Sequence, residues 1–172
     1  MNEPQRGRLL IAGPGLGDAN FDRTIVYLLD HGADGSLGVV INRPSQFEVA
    51  QALPGWSGVV GPPPVVFSGG PVEPGVAMGL ARYHDPAEGI GSVDLSRDPE
   101  PATTGIEVVR VFVGYSGWGA GQLDLELEAG AWFVVDAEPS DLFSPEPENL
   151  WGAVLRRQQA RTAMAGSNPS WN

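Results

Sequence analysis

Glycine and proline cut this chain into short apolar runs, and that punctuation limits it to small elements joined by tight turns. Leu9-Leu10-Ile11-Ala12 stops at Gly13-Pro14-Gly15-Leu16-Gly17, and Thr24 to Leu29 closes at His31-Gly32-Ala33-Asp34-Gly35. Leu37 to Ile41 ends at Asn42-Arg43-Pro44, and Val65-Val66-Phe67 ends at Ser68-Gly69-Gly70-Pro71. Such short, Val- and Ile-rich runs are strand-sized. With 24 Gly and 16 Pro in 172 residues, the content lies just under the level at which aperiodic Gly and Pro signal disorder. The 42% hydrophobic share argues the other way, because it supplies enough apolar material for a core.

The runs at 24–29 and 37–41 predict an antiparallel hairpin, and three apolar, non-alternating strands in the first 45 residues predict a sheet covered on both faces. Phe47, Ala50, Gln51 and Leu53 allow a short helix ended by Pro54-Gly55, and Trp56 to Pro64 reads as a surface loop. Val76 to Tyr83 suits a strand or a helix, since Gly75 and Gly79 weaken both. Ile90 to Leu95 is a possible strand, and Arg97 to Pro101 a flexible loop. Ile106 to Val113 is the clearest strand, after which Gly114-Tyr115-Ser116-Gly117-Trp118-Gly119 is expected to turn the chain sharply. Leu123 to Glu128 alternates like a strand, yet its residues favour helix and Leu123 and Leu127 share a helical face, so by pattern it stays open. Ala131 to Val135 is a strand. Pro145-Glu146-Pro147-Glu148 marks a helix start, with Arg156, Arg157 and Arg161 toward the negative end. Residues 165–172 read as a flexible tail. Strands outnumber helices and the helices fall irregularly. The expected fold is therefore mixed α+β, a single compact domain over residues 1–164 with a mixed, mostly antiparallel β-sheet flanked by a few helices.

Charge excludes more than it suggests. Ten Arg and no Lys stand against 21 acids, for a net charge of −11. A surface of that sign repels phosphate backbones, so direct nucleic-acid binding is not expected. Residues 111–155 hold eight acids and no base, whereas 156–172 hold three Arg and no acid. An acidic solvated face explains this most simply, and a docking surface for a basic partner is the sharper alternative. Without cysteine, disulfides and thiolate chemistry are absent. Two histidines in the pairs Asp30-His31 and His84-Asp85 lack helical ligand spacing, so no metal or cofactor is expected. No apolar run approaches the roughly 18 residues of a membrane span and no secretion signal opens the chain, which predicts a cytoplasmic protein with no membrane contact.

Taken in order, the punctuated blocks form a series: Leu10 to Leu16; Phe21-Asp22-Arg23-Thr24-Ile25-Val26-Tyr27-Leu28-Leu29-Asp30-His31; Gly38-Val39-Val40-Ile41-Asn42-Arg43-Pro44; Ser68-Gly69-Gly70-Pro71-Val72; Gly114 to Leu123; and Ala131-Trp132. Spread over about residues 8–155, the series resembles the bacterial YqgE/AlgH family, a widespread group without an established activity. The resemblance implies one compact domain with a mixed sheet, and it favours a helix at 119–129. Some members carry a label of transcriptional regulator. This chain shows no helix-turn-helix and no basic stripe, so any effect on transcription is expected to pass through a protein partner.

Gly13-Pro14-Gly15-Leu16-Gly17 fits neither dinucleotide nor P-loop fingerprints and reads as a tight turn. Gly114-Tyr115-Ser116-Gly117-Trp118 follows a strand as a nucleophile elbow does, but Trp118 stands where the elbow needs glycine. Both histidines also precede Ser116, against the usual hydrolase order. Ser116 is more simply a turn residue that caps the next helix. Asn42, Arg43 and Ser68-Gly69-Gly70 end strands, and Asp22 lies just before another. If those ends converge, the Gly69 and Gly70 N–H groups with Arg43 could hold a small anion; Arg43 could equally organise loops through carbonyls or Asp22. The candidate binding patch is therefore Asp22, Asn42, Arg43, Ser68, Gly69, Gly70, Ser116 and Trp118, with no catalytic residue assigned. The expected function is a non-enzymatic interaction or regulatory protein with an unidentified protein partner. The alternative is a small-molecule-binding protein or a weak hydrolase using the Ser116 turn.

Overall fold

In the computed structural model, which describes residues 4–13, 23–99 and 105–164, nine strands build one mixed sheet. They are β1 (Leu9–Ala12), β2 (Ile25–Gly32), β3 (Gly35–Val40), β4 (Pro44–Glu48), β5 (Val65–Ser68), β6 (Val72–Tyr83), β7 (Ile90–Val93), β8 (Ile106–Gly119) and β9 (Trp132–Val135). The helices among these residues are α1 (Val49–Ala52), α2 (Gln122–Glu128), α3 (Pro139–Leu142) and α4 (Leu150–Met164). The α+β architecture and the β2–β3 hairpin agree with the sequence expectation. The tail at 165–172, most of the turn at 13–17 and the end of the loop at 97–101 lie outside the described residues.

β8 joins the sheet's two halves. Along one side it pairs antiparallel with β6, from Ile106 to Tyr115. Along the other it meets β5 in parallel at Phe112 and Val113, then β3 antiparallel at Ser116 to Gly119. From β3 the sheet continues through β2 and β1 to β9. The sharp turn expected at 114–119 does not occur. Gly114, at φ +72°, bends the strand instead, because residues 116–119 find hydrogen-bonded partners on β3 and extended pairing satisfies them. Opposite the bend β6 bulges, its pairing jumping from Val72–Tyr115 to Ala77–Val113.

Glycine is required at that bend by space as well as by angle. A Cβ on Gly114 would lie 2.3 Å from the Gly70 carbonyl oxygen, and one on Gly69 would lie 2.4 Å from the Gly114 oxygen. The chain thus crosses itself backbone to backbone where β5 ends.

Two further segments depart from expectation, and the segment left open at 76–83 resolves. The chain does not stop at Pro44 but pairs again as β4, which confines the helix to Val49–Ala52. Val76 to Tyr83 resolves as strand, since β7 and β8 flank it on both sides. Trp56 is no surface-loop residue: it sits in a 3-10 turn, 3% exposed, packed with Val49, Val66 and Val109. At 122–128 helix wins, as the family resemblance implies. Leu123 is buried and Leu127 packs beside it, while Leu125 points outward at 68% exposure, a split that a strand would not give.

Both faces of the sheet are covered. Leu9, Ile11, Ile25, Val39, Phe67 and Phe112 pack with Leu142, Leu150 and Val154 on one face, and Leu10, Val26, Leu28, Val40 and Trp132 pack with Leu123 on the other. Arg110 is buried within β8 and, among the described residues, bonds carbonyls and no carboxylate. It donates to the Leu142, Ser144 and Pro62 carbonyls at 3.2, 2.9 and 2.8 Å and lies 4.4 Å from the Phe67 ring centroid. Burial pulls its guanidinium down to about 10, so it stays charged at neutral pH. Arg110→Met leaves three carbonyls without their donor and is expected to cost about 3 kcal/mol in urea unfolding. Gly114→Ala, strained in angle and in space, is expected to cost about 2 kcal/mol or more by the same measurement.

Candidate functional site

The strand ends that sequence singled out meet where the chain crosses itself. β3 hands over to β4 through Ile41-Asn42-Arg43, and β5 hands over to β6 through Gly69-Gly70-Pro71. Ser68 N–H donates to the Arg43 carbonyl at 2.9 Å, which ties the two connections together. Val40, Arg43, Ser68, Gly70 and Pro71 line a recess of about 90 Å³. At roughly 30 Å³ per water, that is room for about three waters or one small oxyanion.

The other patch residues play different parts. Gly69 N–H donates to the Val113 carbonyl at 2.8 Å, and the Gly69 carbonyl accepts from Val40 N–H at 2.9 Å and from Ser116 Oγ at 3.1 Å. Ser116 is fully buried in β8. It is therefore neither on a turn nor a helix cap, since Gly121 holds the N-cap position of α2. Asn42 latches two strands: its Oδ1 accepts from Ile25 N–H and its Nδ2 donates to the Arg23 carbonyl, both at 3.0 Å. Asp22 lies outside the described residues.

Trp118 is withdrawn from the surface, 7% exposed beneath α2. Its ring stands edge-on to Trp132 at 5.9 Å. Glu126 Oε1 accepts from both indole N–H groups, at 3.2 Å from Trp118 and 2.9 Å from Trp132. Gln122 then donates to Glu126 Oε2 at 2.9 Å and accepts from Gly119 N–H at 2.9 Å, pinning the start of α2 to the end of β8. Of the eight patch residues, the structure gathers Arg43, Ser68 and Gly70 around the recess. Gly69 and Ser116 brace the crossing beside it.

Among the described residues neither histidine is hydrogen-bonded to Ser116, whose hydroxyl donates to the Gly69 carbonyl. His31 Nδ1 lies 2.5 Å from Ser36 Oγ across the β2–β3 hairpin. His84 follows Tyr83, which pairs with Ile106 at the opposite end of β8, roughly 30 Å along the strand from Ser116. Among the described residues no group of three His, Asp or Glu clusters as metal ligands would, and no helix is long and apolar enough to cross a membrane.

The uneven charge resolves partly within the chain. Arg157 grips Asp141 in bidentate fashion at 2.9 and 2.8 Å, and its guanidinium is pushed above its ordinary value chiefly by those hydrogen bonds. Arg161 pairs with Glu138 at 2.7 Å, and Arg8 with Asp136 at 2.9 Å. The basic C-terminal helix thus folds back on the acidic stretch. Sequence reasoning missed a second, larger groove of about 560 Å³ beside Trp56, because that residue sits in a Gly/Pro-rich segment that looks like loop.

Residues 9–163 match the AlgH-like (DUF179) family. A UPF0301 protein of Streptomyces avermitilis is 48% identical, covering 95% of this chain and 91% of its own length. A UPF0301 protein of Mycolicibacterium smegmatis is 41% identical, covering 95% and 87%. Among solved structures, protein DIP2367 of Corynebacterium diphtheriae superposes with a TM-score of 0.83 at 31% identity, covering 91% of this chain and 88% of that one. The AlgH protein of Pseudomonas aeruginosa gives 0.62 at 30% identity, covering 99% and 95%. With nearly the whole chain matched in sequence and in fold, this protein belongs to the AlgH-like family.

Proposed function

We propose that this is a non-enzymatic, cytoplasmic interaction or regulatory protein that holds an acidic group of a partner protein in the recess of Arg43, Ser68 and Gly70. The observation that carries this reading is the Ser116 hydroxyl, fully buried and donated to the Gly69 carbonyl, which ties up the one hydrolase-like motif in holding the fold. The recess at the crossing, lined by Arg43, Ser68 and Gly70, has room for one carboxylate and is too small for a drug-sized substrate. The net charge of −11 does not forbid this, because at physiological salt distant charges are screened beyond about 8 Å while the groups lining the recess act at contact. It does oppose a long phosphate backbone, so any effect on transcription passes through the partner.

Affinity capture from the native cell with mass spectrometry tests this. The wild type is expected to retain a partner that Arg43→Ala loses and that Glu107→Ala, altered at an exposed Arg82–Glu107 pair, keeps. An unchanged partner set in Arg43→Ala overturns the reading. Ser116→Ala is expected to cost about 1 kcal/mol of stability through the lost buried hydrogen bond and to leave capture unchanged.

A further inference from the structure

The β2–β3 hairpin sets a histidine against a serine near its tip. His31 and Ser36 pair across the hairpin, and Ser36 in turn lies opposite Trp118 on β8. Residues directly opposite across a ladder share a face, so the three side chains form one row, with the nearly buried Trp118 at its inner end. His31 Nδ1 and Ser36 Oγ stand 2.5 Å apart, and both residues are half-buried. The next row toward the tip is Gly32, Gly35 and Gly119, which bring no side chains. A Cβ at Gly32 would meet nothing within 4 Å. The pair is thus flanked by an indole on one side and by bare backbone at the end of the sheet.

This is the relation of a nucleophile to its base. A serine hydroxyl attacks well only when a neighbouring group within hydrogen-bond reach takes its proton. When the ring proton of His31 sits on Nε2, Nδ1 has the lone pair that accepts the Ser36 proton. β3 lies between β2 and β8, so backbone pairing on both sides holds Ser36 in place against the imidazole. Ser57 offers the contrast: its hydroxyl is the more exposed of the two, yet it donates to the Pro54 carbonyl, which is no base. The hairpin also carries Asp30 and Asp34 and no Arg, which repels a phosphoryl donor but not an uncharged ester.

We propose that Ser36 is a covalent acylation site with His31 as its general base, taking its acyl group from an uncharged activated ester. Ser36 Oγ bonds to the acyl carbon as its proton passes to His31 Nδ1. The bond from that carbon to the leaving oxygen breaks, and the leaving group departs with the electron pair and takes up the proton. One acyl group is transferred per chain, so the site needs no turnover and stands apart from the recess at Arg43. Incubation with para-nitrophenyl acetate, followed by an acid quench and peptide mass spectrometry, reads acetylation serine by serine. In the wild type Ser36 is expected to be acetylated about a hundredfold faster than Ser57, a comparison that needs no variant. His31→Ala is expected to slow Ser36 about a hundredfold, and its unchanged urea midpoint shows that it is folded. Free imidazole added to His31→Ala is expected to restore the rate at Ser36 relative to Ser57, which a merely structural histidine would not allow. Acetylation of Ser36 no faster than Ser57, an undiminished Ser36 rate in His31→Ala, or failure of imidazole to restore it overturns the proposal.

Discussion

The backbone crossing at Gly69, Gly70 and Gly114 is the constraint on which the rest of the sheet depends. β8 is long enough to serve two half-sheets only because it bends without ending, and it bends where a second backbone approaches within a distance no side chain tolerates. At that point β5 stops and β3 takes over as the neighbour of β8, and the Gly69 carbonyl satisfies donors from both β3 and β8. A side chain at any of these glycines would force the two halves apart and leave those donors unpaired inside the protein. The recess at Arg43 is a by-product of the same geometry, since it opens where two strand connections are held side by side.

Electrostatics follow from topology in the same way. Arg110 points into the core and is satisfied by three carbonyls from distant loops, so one side chain fastens the segment after α3 and the Pro62 turn to the centre of the sheet. Arg157 and Arg161 on α4 fold back on Glu138 and Asp141, which turns an apparent imbalance along the sequence into a local pairing. Partly exposed pairs such as Arg161–Glu138 add little, but the bidentate Arg157–Asp141 contact, with Asp141 buried, fixes how α4 lies. Much of the acidity at 136–141 is thereby spent inside the chain, which weakens the case for a basic partner docking there.

Much of the fold was legible because its signals are local. Leu9 to Ala12, Ile25 to Leu29 and Ile106 to Val113 are apolar, β-branched and bounded by glycine or proline, and each became a strand. The failures share a cause: glycine and proline signal a break in ordinary geometry without saying which kind. At Gly114 the break was a bend within a strand, at Pro44 an edge strand resumed, and at Trp56 a Pro/Gly-rich stretch carried a core residue. The candidate site shows the same division. Arg43, Ser68 and Gly70 gathered as the strand ends suggested, whereas Trp118 went to the core because Trp132 and Glu126 gave its ring and its N–H a buried home. The groove at Trp56 carried no motif, since its residues come from four separate stretches of chain.

By itself the sequence determined the class: many short strands, few helices, no thiol chemistry and a net charge of −11. These are properties of composition and of neighbouring residues, and they hold whatever the chain touches. Tertiary structure alone decided which glycines must be glycine, that Ser116 is buried and bonded instead of exposed, and that Arg110 and Arg157 act as internal fasteners. Those outcomes depend on which backbone passes within a few ångströms of which, and residues such as Gly70 and Gly114, far apart in the chain, reveal that only when folded together.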